Sequence, residues 1–153
     1  GDAATYFDFY KVPSAECTNY YLIKKLLDSK KQVMVSTGGH SASEIQEALG
    51  QFVDQDLVVF HCVPNYPTKL GAQNLLFIKT LKEIGFKQVG YSSHDEDIEV
   101  CLMAMTLGVS WLERHLTNDV NGNGLDDSSS SEIVDFFLLN KFYLILKILS
   151  LQT

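Results

Sequence analysis

Strongly apolar stretches alternate with amphipathic ones along most of this chain. The apolar stretches are predicted to be strands, over residues 8–14, 32–37, 57–62, 88–94 and 109–115. Elsewhere apolar residues recur every three or four positions, which predicts helices over 20–28, 42–54, 72–84, 97–107 and 131–149. Strands that are apolar along their whole length are buried on both faces, as in a parallel sheet covered by helices.

Capping residues support several of these helix boundaries. Asn19 stands before the first helix, and Ser41 with Glu44 three residues later forms a capping-box pattern before the second. Gly85 follows the third helix at the position where glycine commonly ends a helix. Strand and helix therefore alternate as repeated βα units.

Polar, chemically capable side chains stand at the end of each predicted strand. They are Lys11, Ser14, Ser36, Thr37, His61, Cys62, Ser92, His94, Glu113 and His115. An open doubly wound sheet gathers ligands only at its switch point, whereas a barrel brings the ends of all its strands around one pocket. No glycine-rich phosphate motif follows the first strand. The pattern favours an α/β fold that is part of a TIM barrel, with residues 1–153 as a single domain.

Composition narrows the possible partners and the compartment. A net charge of −7 without clustered Lys or Arg argues against nucleic acid. The cysteines lie far apart inside predicted elements (Cys17, Cys62 and Cys101), which is typical of reduced core thiols in a cytoplasmic protein. Residues 1–5 lack the features of a signal peptide.

The last predicted helix is unusually apolar over residues 136–149. Asn140, Lys141 and Lys147 interrupt it, whereas a membrane span needs about 20 apolar residues. We expect a helix that is mostly buried, with a partner interface as the alternative, and no membrane span.

His94 and His115 form the candidate metal site. Each ends an apolar strand, and if the two strands are parallel neighbours both imidazoles reach the same space. A single histidine there is more often a hydrogen-bonded core residue, so the pair carries the prediction. Imidazole nitrogen suits Mn, Fe, Co or Zn, and two protein ligands leave positions for water and substrate.

The segment 119–124 resembles the start of a calcium loop, with oxygen side chains at alternate positions before a glycine. Its twelfth position is Ser130 rather than a bidentate glutamate, so a flexible substrate loop is the favoured interpretation.

Taken together, these motifs resemble those of the sialic acid (N-acetylneuraminate) synthases and the related legionaminic and pseudaminic acid synthases. The resemblance extends to about Phe136. It rests on the motifs Tyr10-Lys11-Val12-Pro13-Ser14, Val35-Ser36-Thr37-Gly38, His61-Cys62 with Tyr66-Pro67, Gly90-Tyr91-Ser92-Ser93-His94 and Leu112-Glu113-Arg114-His115-Leu116-Thr117.

The resemblance implies a (β/α)8 barrel that condenses phosphoenolpyruvate with an N-acetylated amino sugar, of the N-acetylmannosamine type, to a nonulosonic acid. His94 and His115 match the ligands of a divalent metal, usually Mn²⁺, and Glu16 is assigned with them to catalysis. The positions that match phosphoenolpyruvate-binding residues are Lys11, Ser14, Ser36 and Ser92. Those near the sugar are Glu16, Tyr66 and Asp126.

The chain departs from the family pattern at three internal positions and at its amino-terminal end. Ser93 stands where the family usually has an aspartate, which removes a charge that orients the metal histidine. Pro64 occupies a sugar-facing position, and the loop 121–126 replaces a proline-rich segment. The units correspond to family strands 4 to 8, so the first three strands and the antifreeze-like domain found in many members are missing.

These gaps bear on activity. A complete barrel needs about 250 residues, and this chain has 153. We therefore expect the fragment to be inactive alone. Two other functions remain open: a non-catalytic half-barrel that assembles, as a homo-oligomer, through its open edges or last helix, and another metal-dependent barrel aldolase that acts on a keto acid.

Overall fold

A single parallel sheet organises the protein in a computed structural model, which describes residues 6–150. The strands lie in chain order, each paired with the next: β1 (Phe9–Val12), β2 (Gln32–Ser36), β3 (Leu57–Cys62), β4 (Gln88–Ser93), β5 (Trp111–Leu116) and β6 (Ser130–Ser131). A sequential order has no switch point, which distinguishes it from a doubly wound sheet. The sheet curls into a half-barrel, so the predicted partial TIM barrel is confirmed.

Four helices connect successive strands from β1 to β5, a fifth follows β6, and all pack against the convex face of the sheet. They are α1 (Tyr20–Asp28), α2 (Ala42–Leu49), α3 (Phe77–Ile84), α4 (Glu99–Thr106) and α5 (Ile133–Ser150). The main core joins strand residues such as Val35 and Val59 to helix residues such as Ile45 and Leu81. A smaller cluster of Met34, Val58 and Phe60 fills the concave side of the sheet. Alternate residues of each strand thus serve opposite faces.

Local signals act as expected at three helix ends. The Asn19 side chain accepts a hydrogen bond from the backbone of Leu22, and Ser41 and Glu44 form the reciprocal capping box. Gly85 ends α3 with a φ of 113°, a conformation that glycine adopts without strain. Cys17, Cys62 and Cys101 are buried and form no disulfide, and Cys17 and Cys101 belong to the main core, as predicted for core thiols.

Four elements differ clearly from the predictions. Helix α2 was predicted to run to residue 54, but it ends at Leu49 and is followed by a 3-10 turn, Gly50–Phe52. Helix α3 begins at Phe77 rather than residue 72, because Asn74 has a positive φ and the side chain of Gln73 turns into the protein interior. The short strand β6 was not predicted. Helix α5 was expected to be mostly buried, and this was wrong: only Leu139 is buried, while Phe137 is 70% exposed.

The exposure of α5 has a simple cause, since the helix packs mainly against α4 and β6 and its outer face meets no other element among residues 6–150. Over that same range, no helix is both long and apolar enough to cross a membrane. The segment 1–5, for which no signal peptide was expected, lies outside the described residues.

Candidate active site at the carboxyl ends of the strands

A cavity of about 350 Å³ opens on the concave side of the sheet at the carboxyl ends of the strands. The predicted site residues that line it are Lys11, Ser14, Ser36, Tyr66, Ser92, His94 and His115. Register explains why they meet: Cys62 pairs with Ser92, and Ser92 with Glu113. Because alternate residues share a face, the histidines two positions beyond Ser92 and Glu113 also point toward the cavity.

His94 is held in one orientation and one tautomer. It is 6% exposed, and its Nδ1–H donates a hydrogen bond to the carbonyl oxygen of Val63 over 2.8 Å. A carbonyl only accepts, so the proton lies on Nδ1 and Nε2 keeps its lone pair. Burial lowers the pKa of His94, which favours the neutral imidazole. Tyr66 stacks on the ring with 3.9 Å between centroids.

His115 lies across the cavity from His94, with 5.7 Å between the ring centroids. Two imidazoles bound to one ion through N–metal bonds of about 2.1 Å have ring centres at most about 6.5 Å apart. The spacing therefore fits a shared divalent cation. The His115 side chain is 38% exposed, and its Nδ1 lies 3.6 Å from Oδ2 of Asp126.

A metal held here would receive two ligands from the chain. Within residues 6–150, no group of three or more His, Cys, Asp or Glu side chains is arranged to hold an ion. The donor set of two imidazoles matches Mn, Fe, Co or Zn and leaves open positions for water and substrate. The loop 119–124 is organised instead by Asp127, whose carboxylate accepts hydrogen bonds from Gly124 and Thr117.

The opposite end of the cavity presents a cation and hydroxyl groups. Lys11 donates to Ser36 Oγ over 2.7 Å and pairs with Glu113 Oε2 at 3.0 Å. Ser14 Oγ accepts a hydrogen bond from Gly38 N at 2.9 Å. A Cβ on Gly38 would come within 2.8 Å of Cys62 Sγ, so only glycine permits this approach. The arrangement suits an anionic group such as phosphate or carboxylate.

Two predicted residues lie at or beyond the margin of this cavity. Asp126 approaches it only through His115. Glu16 does not line it, and its carboxylate accepts a hydrogen bond from Asn19 at 2.7 Å. Glu113 and Cys62 also line it; both were expected among the polar residues at the strand ends, but neither was assigned a role in the site. Their positions could have indicated a role in the site. Glu113 stands two residues before His115 and so shares its face of β5, and Cys62 ends the strand that precedes the one carrying Ser92.

The curled sheet and the cavity at its carboxyl edge define the class of protein: the chain is part of a (β/α) barrel of the kind that carries its site at the ends of the strands. Within that class it belongs to the NeuB family, whose model matches residues 3–143. The predicted resemblance is thereby confirmed.

Individual relatives agree with this assignment. The chain is 35% identical to the N,N'-diacetyllegionaminic acid synthase of Campylobacter jejuni over 128 residues, which cover 80% of this chain and 38% of that protein. It is 28% identical to the N-acetylneuraminate-9-phosphate synthase of Drosophila melanogaster, covering 81% and 34%.

Among solved structures, the N-acetylneuraminic acid synthetase of Leptospira borgpetersenii in complex with citrate superposes with a TM-score of 0.84 and 33% identity. The superposition covers 94% of this chain and 52% of that one. The chain thus spans little more than a third of the length of these two curated relatives.

Proposed function

We propose that this chain is the carboxyl-terminal part of the catalytic barrel of a sialic-acid-type synthase. The reaction would join phosphoenolpyruvate to an N-acetylated amino sugar, of the N-acetylmannosamine type, and give a nonulosonic acid. The observation that carries the proposal is the pair His94 and His115, 5.7 Å apart beside a lysine and serine cluster, in a member of the NeuB family.

In this reaction carbon 3 of phosphoenolpyruvate forms a bond to the aldehyde carbon of the open-chain sugar. Water adds at carbon 2, and phosphate leaves by cleavage of the bond between that carbon and the bridging oxygen. A divalent ion, Mn²⁺ in this proposal, held by His94 and His115 would polarise the aldehyde as a Lewis acid.

The chain's own side chains hold the two substrates in place. Lys11, with Ser14, Ser36 and Ser92, would bind the phosphate and carboxylate of phosphoenolpyruvate, because these donors already converge before the ligand arrives. Tyr66 packs against His94 with its ring centroid 5.9 Å from that of His115, so its phenol would lie beside the aldehyde of the bound sugar. Asp126 would contact the sugar from the His115 side.

The fragment alone lacks a closed barrel around this site. Over residues 6–150, the six-stranded sheet pairs β1 with β2 and with no strand on its other side. Since the assigned relatives are more than twice as long, we expect synthase activity only when the remaining strands are supplied.

Isothermal titration of Mn²⁺ into the chain tests the proposal most directly. We expect one ion per chain, and loss of binding in His94→Ala and in His115→Ala. His40→Ala is the matched control, because His40 is half-buried outside this cavity and its Nδ1 bonds to Gly38 O. Absence of Mn²⁺ binding in a folded chain, or equal loss in the control, would overturn the metal site.

A second assay addresses the reaction. The chain joined to the amino-terminal strands of a longer relative should release phosphate from phosphoenolpyruvate and N-acetylmannosamine in a Mn²⁺-dependent way. Cleavage of a 4-hydroxy-2-keto acid without formation of a nonulosonic acid would favour the aldolase alternative instead.

The exposed face of α5 favours a second, non-catalytic function as an assembly module. Phe137, Leu144 and Ile148 are among its large apolar side chains that face solvent. If this function is correct, sedimentation shows concentration-dependent association that weakens in Phe137→Ser. A strictly monomeric chain would argue against it.

A further inference from the structure

A buried carboxylate lies directly behind the histidine pair, on the helix-facing side of the sheet. Asp95 is 1% exposed and follows His94 in the chain. Its Oδ2 accepts hydrogen bonds from Tyr91 Oη at 2.6 Å and from Ser93 Oγ at 2.7 Å, and its Oδ1 accepts one from Gln73 Nε2 at 3.1 Å. The ion pairs of the described residues do not include Asp95.

Ser93 connects this carboxylate to the neighbouring strand. Its hydroxyl donates to Asp95 and accepts a hydrogen bond from Arg114 Nη1 at 2.7 Å. Ser93 and Arg114 are also register partners in the β4–β5 ladder. Arg114 in turn donates to the carbonyl of Glu96 at 3.0 Å. The Ser93 hydroxyl therefore bridges the Asp95 carboxylate and the Arg114 guanidinium. This path of hydrogen bonds joins the end of β4 to β5.

Gln73 connects the same carboxylate to the loop that covers the site. Its backbone oxygen accepts a hydrogen bond from His61 Nε2 at 2.7 Å, so both ends of the residue are held. The loop between β3 and α3 also supplies Val63, which bonds to His94, and Tyr66, which stacks on it. Thr68 N adds a bond to the His94 carbonyl at 2.8 Å.

The hydrogen bonds among Asp95, Ser93 and Arg114 restrict the positions of the two histidines, because side chains alternate between the two faces of a strand. Ser93 and Asp95 flank His94, and Arg114 immediately precedes His115, so these three residues are each covalently next to a cavity-facing histidine. Fixing the helix-facing residues of β4 and β5 relative to each other also fixes the two imidazoles.

We infer that Asp95 is a positioning residue that sets the separation of His94 and His115 through Ser93 and Arg114. The sequence resemblance places an aspartate at position 93, where this chain has serine, and a loss of orienting charge was expected there. The carboxylate instead comes from two residues further along. This inference rests on the proposed metal function, and it concerns Asp95, which does not line the cavity.

The test combines two readouts, one of which needs no metal. The first is the cross-relaxation between the His94 and His115 ring protons in the metal-free chain by NMR. The second is the Mn²⁺ dissociation constant by titration calorimetry. Asp95→Asn preserves size but presents an amide to donors that need a carboxylate. We expect it to weaken the ring contact and to reduce Mn²⁺ affinity about tenfold or more, the usual range for residues that orient metal ligands.

Two further variants separate positioning from a general effect of charge. Asp97→Asn makes the same substitution at an exposed position two residues away and should leave both readouts unchanged. The double variant Ser93→Asp with Asp95→Ser returns the carboxylate to position 93 and should recover both. Equal behaviour of Asp95→Asn and Asp97→Asn, or no recovery in the double variant, would overturn the inference.

The remaining outcomes are also decisive. If the unsubstituted chain binds no Mn²⁺, the proposed metal function fails, while the ring contact still decides whether Asp95 positions the histidines. If Asp95→Asn does not fold, Ser93→Ala replaces it, since this change removes the hydroxyl that joins Asp95 to Arg114 and leaves the bonds of Asp95 to Tyr91 and Gln73. Wild-type ring contact in Ser93→Ala would then refute the role of the network.

Discussion

Strands β4 and β5 lie side by side and each leads to a histidine, yet their surroundings differ. Residues 89–93 of β4 are all buried, whereas no residue of β5 is fully buried. β4 sits between two long strands, while β5 has only the two-residue β6 on its other side. His94 is therefore fixed by the core, and His115 is fixed largely by polar contacts of its neighbour Arg114.

Packing behind the two strands shows the same contrast. Val89 and Tyr91 belong to the main core. Behind β5, a cavity of about 280 Å³ separates the strand from α5 and is lined by Leu112, Leu139 and Tyr143. We therefore expect substitutions on the β4 side of the site to reduce the stability of the protein more than substitutions on the β5 side.

Gly90→Ala should reduce the stability of the protein most, because it adds a methyl group where β4 is already closely packed. A Cβ at this position would come within 2.5 Å of the buried Phe60 ring. We expect the free energy of unfolding to fall by about 3 kcal/mol, measured by urea denaturation. Combining it with Phe60→Leu should cost less than the sum of the two single changes. Strict additivity would show that the contact is not the cause.

Removing the hydroxyl group of Tyr91 should reduce the stability of the protein by a smaller amount. Tyr91→Phe deprives the buried Asp95 carboxylate of a 2.6 Å hydrogen bond and should reduce the free energy of unfolding by about 2 kcal/mol. The matched change on β5 is Trp111→Phe, which removes an exposed bond to Gln88 and should cost at most about 1 kcal/mol. Equal losses in the two variants would contradict the contrast between the strands.

The smallest effect concerns pH. Burial lowers the pKa of His61, which packs against Tyr91. The folded state then binds fewer protons than the unfolded state as pH falls through about 6.5. The urea midpoint should therefore decrease from pH 7 to pH 5, and less steeply in His61→Gln. The remaining slope would come from His94, whose pKa burial also lowers. A midpoint that rises with acid would refute this account.

Periodicity and capping were sufficient to predict most of the fold. The predicted bounds of α1 and β3 agree with the structure, because an asparagine cap and a continuous apolar run mark them locally. The start of α3 was missed because it depends on Gln73 reaching a carboxylate 22 residues away. β6 was missed because two serines carry no strand signal and pair only through tertiary contact.

The residues that face the cavity could also be predicted from the sequence, because the carboxyl ends of the strands converge in a barrel. Lys11, Ser36 and His94 were identified on that basis and line one cavity. The residues that face the helices could not. No sequence motif marked Asp95, and only the three-dimensional arrangement shows that it receives three side-chain hydrogen bonds.

The ion pair between Lys11 and Glu113 joins strands that stand four places apart in the sheet. The lysine therefore already has an internal counter-ion before any ligand arrives. Ser36 and Glu113 occupy two of the three N–H donors of this ammonium, which leaves one donor for an arriving anion. That anion therefore meets a cation already shared with a carboxylate of β5, two residues before His115, and Glu113 weakens the net attraction that Lys11 offers to a phosphate.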